Sequence, residues 1–349
     1  MNKYTIGDFT RVLNKFFTEQ GIGITNFDIQ TYFKTNEDIL KKKQKVALTF
    51  ICINPTYWQY IKDAVEGARR YFLPGHNVDI FLWSDIPVDD SEEAQRVLDM
   101  WPTQQEIVDL QSQGQITNHL VSRESLAQHV EEVRNLGITI FPTGSIEWPH
   151  PTLKRYHLYL QQEEVLKKYD YTFHFDIDMR FVSFVGDEIL GEGLTAVAMP
   201  MYYVDKKFIP PYEPNPNSTA YIPRPGRIIM ENGQPRFEPL YLAGGWQGGK
   251  TDLWLEAMKT MKANIDEDAR NNYIAVWNDE SHWNKYLFNN PPSVVLDPGY
   301  CYPDSLIEEY FKKIWGRDFT PRVLTLTKKF SLSAQGGQAV QDAINNMPK

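Results

Sequence analysis

Apolar positions along this chain fall into two patterns that alternate. Val46, Ala47, Leu48, Phe50, Ile51 and Ile53 fill the stretch Lys45 to Ile53 with almost no polar interruption. A strand reads this way when both faces of its sheet are covered, as in a parallel α/β sheet. Helical spacing follows over about Trp58 to Phe72, Pro74-Gly75 turns the chain, and Val78 to Trp83 predicts a second strand. Leu153 to Tyr169 predicts one helix, and Tyr171 to Phe175 a strand running into Asp176. Leu253 to Ile265 and Ser281 to Phe288 predict two more helices. Strands alternating with helices predict an α/β fold with a mostly parallel central sheet flanked by helices.

The segments between are of a different kind. Residues 1–44 carry Phe9, Val12, Leu13, Phe16 and Phe17 at helical spacing, broken by Gly21 and Gly23, and predict a helical appendage. Residues 45–330 then form a single domain, in which the charged, glutamine-rich residues 86–136 are a helical insertion with Val97, Met100, Ile107, Val108 and Leu110 in register. Met199 to Gly249 is dense in proline and glycine and predicts loops and short edge strands. Residues 331–349 read as a small, polar tail. No Gly-x-Gly-x-x-Gly loop follows the first strand, so a dinucleotide fingerprint is absent.

Charge narrows the function. A formal net charge of −9 over 349 residues opposes nucleic-acid binding, which draws its affinity from a basic face. The basic cluster Lys41-Lys42-Lys43 with Lys45 reads as a solvated lead into the first strand. An acidic protein still holds a diphosphate when a divalent cation carries the local positive charge. Two cysteines, Cys52 and Cys301, exclude a disulfide scaffold; buried thiols are expected, and one long-range bridge stays open. Met1 to Gln20 lacks the apolar run of a signal peptide or membrane anchor, so a soluble, cytoplasmic protein is expected.

Three segments carry candidate chemistry. Asp176-Ile177-Asp178 stands at the C-terminal end of a strand, the edge where ligands of open α/β sheets bind. Two hard carboxylates there suit Mn²⁺ or Mg²⁺ on a diphosphate; an ordinary acidic turn is the bland alternative. Asp279-Glu280 precedes a helix with Ser281 as its possible cap, so the pair serves either the helix dipole or a sugar's anomeric carbon. Tyr241-Leu242-Ala243-Gly244-Gly245-Trp246-Gln247-Gly248-Gly249 puts four glycines among bulky residues, which means close backbone approach to a ligand or to another segment. His174 and His282 read as core or hydrogen-bonded histidines more readily than as ligands.

In order and spacing, Asp176-Ile177-Asp178, Ala220-Tyr221-Ile222-Pro223, Ala243-Gly244-Gly245 with Gly248-Gly249, and Trp277 through Tyr286 resemble the motifs of glycosyltransferase family 6. That family includes the blood-group A and B transferases and the α-1,3-galactosyltransferases. The resemblance covers about Lys45 to Asp85 and Trp148 to Tyr302, and implies a GT-A-like fold and a retaining transfer of N-acetylgalactosamine or galactose from a UDP-sugar to a saccharide acceptor. By the same resemblance, Asp176 and Asp178 hold Mn²⁺ (or Mg²⁺) on the UDP diphosphate. Cys52, Ile53 and Asn54 contact uridine, Tyr57 covers the base, and Arg155 faces the donor. Asp279 binds donor hydroxyls, Trp277 packs on the acceptor, and Glu280 is the catalytic glutamate. Ala243 and Gly245 are small where larger residues crowd the sugar's C2 substituent, which favours N-acetylgalactosamine. Lys328 and Lys329 either close over the diphosphate, as basic tail residues of the family do, or form a solvated charge pair.

The chain departs from the family at Met199, where a His often precedes the Pro, at Asn278, where many relatives carry His, and at Pro211, near an acceptor-contacting Thr. The 86–136 insertion is longer than in vertebrate members, which begin with a membrane anchor; its absence here suggests a microbial or viral member. Two other functions compete: a carbohydrate- or nucleotide-sugar-binding protein that lost turnover, and a metal-dependent nucleotide-sugar hydrolase. Four acidic residues together disfavour the first, and an acceptor-side Trp277 disfavours the second.

Overall fold

The computed structural model describes residues 43–87, 89, 91–113, 121–200, 210–223, 227–231, 234–238, 241–304 and 319–326, with residues 93, 94, 227–231 and 234–238 followed through the backbone alone. The chain divides into Met1–Gln44 and Lys45–Lys349, and the described residues from Lys45 onward belong to the second unit. The predicted appendage up to residue 42 and the polar tail lie outside the described residues.

The strands, in chain order, are β1 (Lys45–Cys52), β2 (Asn77–Ser84), β3 (Thr139–Pro142), β4 (Tyr171–Asp176), β5 (Met179–Phe181) and β6 (Leu194–Ala198). They continue as β7 (Arg227–Glu231), β8 (Gln234–Glu238), β9 (Leu242–Lys250), β10 (Val294–Leu296), β11 (Tyr302–Pro303) and β12 (Val323–Thr325). The helices are α1 (Ile61–Tyr71), α2 (Glu92–Asp99), α3 (Gln104–Ser112), α4 (Arg123–Asn135), α5 (His150–Leu153), α6 (Arg155–Leu160), α7 (Glu163–Leu166), α8 (Thr251–Arg270) and α9 (Asn278–Asn289). Seven strands make the central sheet in the order β10-β6-β9-β4-β1-β2-β3. Every pairing is parallel except the two that β9 makes, with β4 and with β6. The architecture is a GT-A-like α/β fold.

Period-two alternation splits the apolar runs between two cores. Val46, Leu48, Phe50 and Cys52 of β1 join Ile80 and Leu82 of β2 and Phe173 and Phe175 of β4 on one face. Ala47 and Ile53 join Phe81, Trp83, Trp254, Met258 and Trp283 on the other. Such double burial is why the β1 sequence reads as a continuous apolar run. α8 covers the second face because Trp254, Ala257, Met258, Met261 and Ile265 recur at helical spacing and are all buried.

Three expectations change. The Pro/Gly-rich stretch contains β9, a nine-residue strand between β4 and β6, where loops and edge strands were expected. Glycine permits it: Gly248 and Gly249 have φ of +155° and +137°, and a Cβ would lie 2.4 Å from a backbone carbonyl oxygen, of Thr172 in β4 for Gly248 and of Gly193 just before β6 for Gly249. The predicted 153–169 helix is three short pieces, since Lys154 (ψ 3°) and Gln162 (ψ 26°) leave the helical basin. Burial of Arg155, Tyr156, Leu158 and Tyr159 almost in succession replaces an amphipathic stripe. The helix predicted from Trp58 is preceded by a 3₁₀ turn over Pro55–Tyr60.

Within residues 86–136 the described residues include α2, α3 and α4, and α4 buries Leu126, Val130 and Val133 against the first core. The region forms the crossover from β2 to its parallel neighbour β3. Both cysteines are free and buried, and burial pushes the Cys301 thiol up to about 12. Among the described residues, no helix is long and apolar enough to cross a membrane.

Candidate active site

A cleft of about 360 Å³ opens at the C-terminal ends of β1 and β4, as the ligand-edge rule for parallel sheets requires. Cys52, Ile53, Asn54, Tyr57, Arg155, Asp176 and Asp178 all line it, with Ile146, Trp148 and Thr152 on its far wall. Residues more than 120 positions apart thus meet because β1 pairs directly with β4, Ile51 opposite Asp176.

The β1 end is held in an uncommon conformation. Asn54 has φ +93°, and its side chain caps the 3₁₀ turn by accepting from the Thr56 amide at 3.0 Å. Asp85, just past the end of β2, accepts from the Asn54 amide (3.0 Å) and from Trp58 Nε1 (2.9 Å). A non-glycine residue at such a φ persists only where its surroundings hold it, and such positions cluster at ligand sites.

Arg155 is the hub. It is 5% exposed, donates through Nη2 to Asp176 Oδ1 (2.7 Å) and through Nη1 to the Gly244 carbonyl (2.8 Å). Nη1 also lies 2.9 Å from Asp279 Oδ2. Burial works against the guanidinium charge, but the Asp279 and Asp176 carboxylates outweigh it and keep its pKa above the ordinary value. The Nη1–Asp279 approach is an ion pair without hydrogen-bond alignment, so buried Asp279 Oδ2 has no hydrogen-bond donor among the described residues.

Asp176 is fixed from a second side. His174 Nε2 lies 3.2 Å from Asp176 Oδ1, while Nδ1 is 2.5 Å from the Tyr159 hydroxyl. Burial, then the Arg155 charge, lowers the His174 pKa to about 4. The ring is therefore neutral at pH 7, and a Tyr159 hydroxyl donating to Nδ1 leaves Nε2–H to donate to Asp176.

Glu280 is positioned by the motif around it. α9 begins at Asn278, so Asp279 and Glu280 lie in its first turn. Ser281, expected as the cap, lies inside the helix and accepts from the Trp277 amide. One turn on, Asn284 accepts from the Leu242 amide and donates to the Leu242 carbonyl, both at 2.9 Å, locking α9 to the start of β9. That register brings Glu280 Oε2 to the Gly244 amide at 2.7 Å. A Cβ on Gly244 would sit 2.7 Å from Glu280 Cβ, so position 244 must lack one.

Burial raises the Glu280 pKa to about 7, partly offset by the hydrogen bond from the Gly244 amide. Burial also raises Asp279 to about 6 against the pull of Arg155. Two acids pushed toward neutrality beside a strand-end carboxylate pair are the electrostatic pattern of a catalytic site.

Other expected residues are less simply placed. A Cβ on Gly245 would lie 2.7 Å from Asp176 Oδ2, and Ala243 is 2% exposed within the first core. Trp277 stands outside the cleft lining, 43% exposed at the start of α9. Lys328 and Lys329 lie outside the described residues. The sequence reading missed Asp85, Thr152 and Trp148, the last 72% exposed at the cleft. Asp85 was findable by the same strand-end rule that singled out Asp176.

Asp176 and Asp178 fit a hard divalent cation as a two-carboxylate set. Among the described residues no group of three or more His, Cys, Asp or Glu could hold a metal, so ligand or water oxygens would have to complete the coordination.

The sequence model of glycosyltransferase family 6 matches residues 145–314, which include Arg155, Asp176, Asp178, Gly244, Asp279 and Glu280. The histo-blood group ABO system transferase 1 of Rattus norvegicus is 28% identical over 287 residues, 82% of this chain and 67% of that protein. The globoside alpha-1,3-N-acetylgalactosaminyltransferase 1 of Homo sapiens is 26% identical over 250 residues, 71% of this chain and 58% of the relative. The O-antigen biosynthesis glycosyltransferase WbnI of Escherichia coli is 27% identical over 177 residues, 49% of this chain and 68% of the relative. The chain is a glycosyltransferase, and family 6 is the family that residues 145–314 and these relatives support.

Proposed function

We propose that residues 45–330 form one catalytic domain that transfers N-acetylgalactosamine, or galactose, from a UDP-sugar to a saccharide acceptor such as a terminal β-galactoside. The new linkage is α-1,3 and the anomeric configuration is retained. The observation that carries this reading is the single constellation around Arg155. Its guanidinium joins the strand-end Asp176 of the cleft to Asp279, and Asp279 keeps a buried oxygen without a hydrogen-bond donor. A buried acceptor in this state calls for an external donor, and a sugar hydroxyl has the right chemistry.

In this reading Ile53, Asn54 and Tyr57 receive uracil and ribose, and the diphosphate lies toward Asp176 and Asp178. A divalent cation held by those two carboxylates would supply positive charge against the leaving diphosphate. Asp279 and Arg155 orient the sugar. Glu280, fixed by the Gly244 amide, presents a carboxylate to the anomeric carbon. Retention needs that carboxylate ionised, whether it attacks the carbon or steadies a same-face attack by the acceptor. Trp277 offers an exposed indole to the acceptor ring.

The small residues Ala243 and Gly245 bear on the donor assignment. Small residues at 243 and 245 leave room beside C2, but Gly245 also borders Asp176. Its smallness therefore serves the carboxylate as well as the sugar.

The test is UDP release from UDP-N-acetylgalactosamine and UDP-galactose, with Mn²⁺ or EDTA, with and without lactose, followed by product analysis. A longer saccharide formed only with cation, and lost in Glu280→Gln, is the expected outcome. Free sugar alone would mark a hydrolase. No turnover of either donor would mark a binding protein.

A further inference from the structure

Glu213 is 1% exposed and is not part of the cleft lining. Its carboxylate is nonetheless fully engaged: Oε1 accepts from the Tyr273 hydroxyl (2.7 Å) and the Asn215 amide (2.8 Å), and Oε2 accepts from the Val276 amide (2.7 Å). The partners join two segments. One is the loop 210–223; the other is the turn between α8 and α9, which ends in Trp277 and leads into Asp279 and Glu280.

A second carboxylate anchors the same loop to the end of α8. Asp268, 2% exposed, accepts from Ser218 Oγ (2.6 Å) and the Thr219 amide (2.8 Å). Its backbone carbonyl accepts from the Tyr273 amide. The loop also reaches toward the site, since the Tyr212 ring centroid lies 5.6 Å from that of Tyr241, the residue just before β9.

Burying a carboxylate is costly unless every oxygen is satisfied, and among the described residues no Lys or Arg pairs with Glu213. An apolar side chain would fill that space at lower cost but would leave the Val276 amide without its acceptor. What the carboxylate secures is the conformation of the turn. That turn carries Ile274, Val276 and Trp277, three of the eight exposed large apolar side chains among the described residues. They form the apolar surface directly before the acidic pair.

We infer that Glu213 is a positioning residue for the acceptor: it holds the Trp277 turn against the loop 210–223, so that acceptor affinity is set from a buried carboxylate 63 residues before Val276. This rests on the reading of the site as a UDP-sugar transferase. Glu213→Gln tests it. An amide group keeps the shape, but whichever way it turns, its NH₂ faces a backbone N–H, of Val276 or of Asn215, that needs an acceptor.

In Glu213→Gln the KM for lactose is expected to rise about tenfold. The KM for the UDP-sugar and the rate of acceptor-free UDP release stay at wild-type values. Tyr273→Phe, which removes one donor and keeps the ring, gives a smaller rise of the same kind and covers the case in which the Gln variant fails to fold. Amide hydrogen exchange over 273–280 is expected to quicken in Glu213→Gln, with 176–180 unchanged. Equal loss on donor and acceptor constants, or exchange over 273–280 that does not change, would overturn the inference. A wild-type protein that turns over no UDP-sugar would instead refute the transferase reading, while the exchange measurement still decides whether Glu213 clamps the turn.

Discussion

At the scale of single residues, the site's acids are tuned by burial, and the sign of that tuning can be measured. Glu280 has a folded pKa of about 7 against an ordinary 4.5. Its protonated form is favoured by folding, so the stabilisation it offers is complete below pH 4.5 and lost as pH rises through 7. At pH 8 the ionised carboxylate costs stability, of order 1–2 kcal/mol after allowing for solvent at the cleft. Glu280→Gln should therefore raise the melting temperature at pH 8 and leave it nearly unchanged at pH 4, while transfer falls by at least ~10³-fold. A variant equally stable relative to wild type at both pH values would contradict the raised pKa. In the wild type, kcat/KM for the donor should climb with pH through the range set by Asp279 and Glu280, about 6 to 7; a flat profile between pH 5.5 and 7.5 would remove Glu280 from the reaction. Arg155→Met belongs to the same scale, because it leaves buried Asp279 and the cleft-facing Asp176 without their shared cation. A loss of roughly 3–5 kcal/mol in urea unfolding is expected.

At the scale of elements, legibility followed the period of the pattern. β1 and β4 were readable because burial on both faces leaves an apolar run, and Asp176 was readable because it ends such a run. β9 was not, since its sequence Leu-Ala-Gly-Gly-Trp-Gln-Gly-Gly-Lys carries the glycines of a loop. The glycines answer to neighbours invisible in the local sequence: Gly244 to Glu280, Gly245 to Asp176, Gly248 to Thr172 and Gly249 to Gly193. Likewise Asp85 and Glu213 look like ordinary polar positions until β2 and the loop 210–223 are set beside their partners. The family motifs located Glu280 and Arg155, but the hub role of Arg155 needed the pairing of β4 with β9. Gly248→Ala tests the element directly. With φ at +155° and the Thr172 carbonyl 2.4 Å from the new Cβ, it should cost about 1–3 kcal/mol or more of stability. A Gly248→Ala protein with an unchanged unfolding midpoint would mean that β9 does not run between β4 and β6.

At the scale of the whole molecule, the question is whether the proposed cation belongs to the fold or to the substrate. A metal that builds a fold is enclosed by protein ligands and is lost only with unfolding. Here two carboxylates face a cleft, and one of them is already neutralised by Arg155 and hydrogen-bonded by His174. The sheet that carries them is held by two apolar cores, each independent of any ion. Removing divalent cations should therefore abolish transfer and leave the melting temperature in place. UDP alone should stabilise weakly, because its diphosphate would meet Asp176 and Asp178 with no positive charge between. UDP with Mn²⁺ at a hundredfold excess over its dissociation constant should add about 2.7 kcal/mol, visible as a shift of several degrees. Thermal melts of the protein with EDTA, with UDP and EDTA, with Mn²⁺ and with both ligands separate the cases. If EDTA alone lowers the melting temperature, the cation is part of the fold. If UDP stabilises equally with and without Mn²⁺, the diphosphate is bound by the protein's own groups and Asp176 and Asp178 have another role.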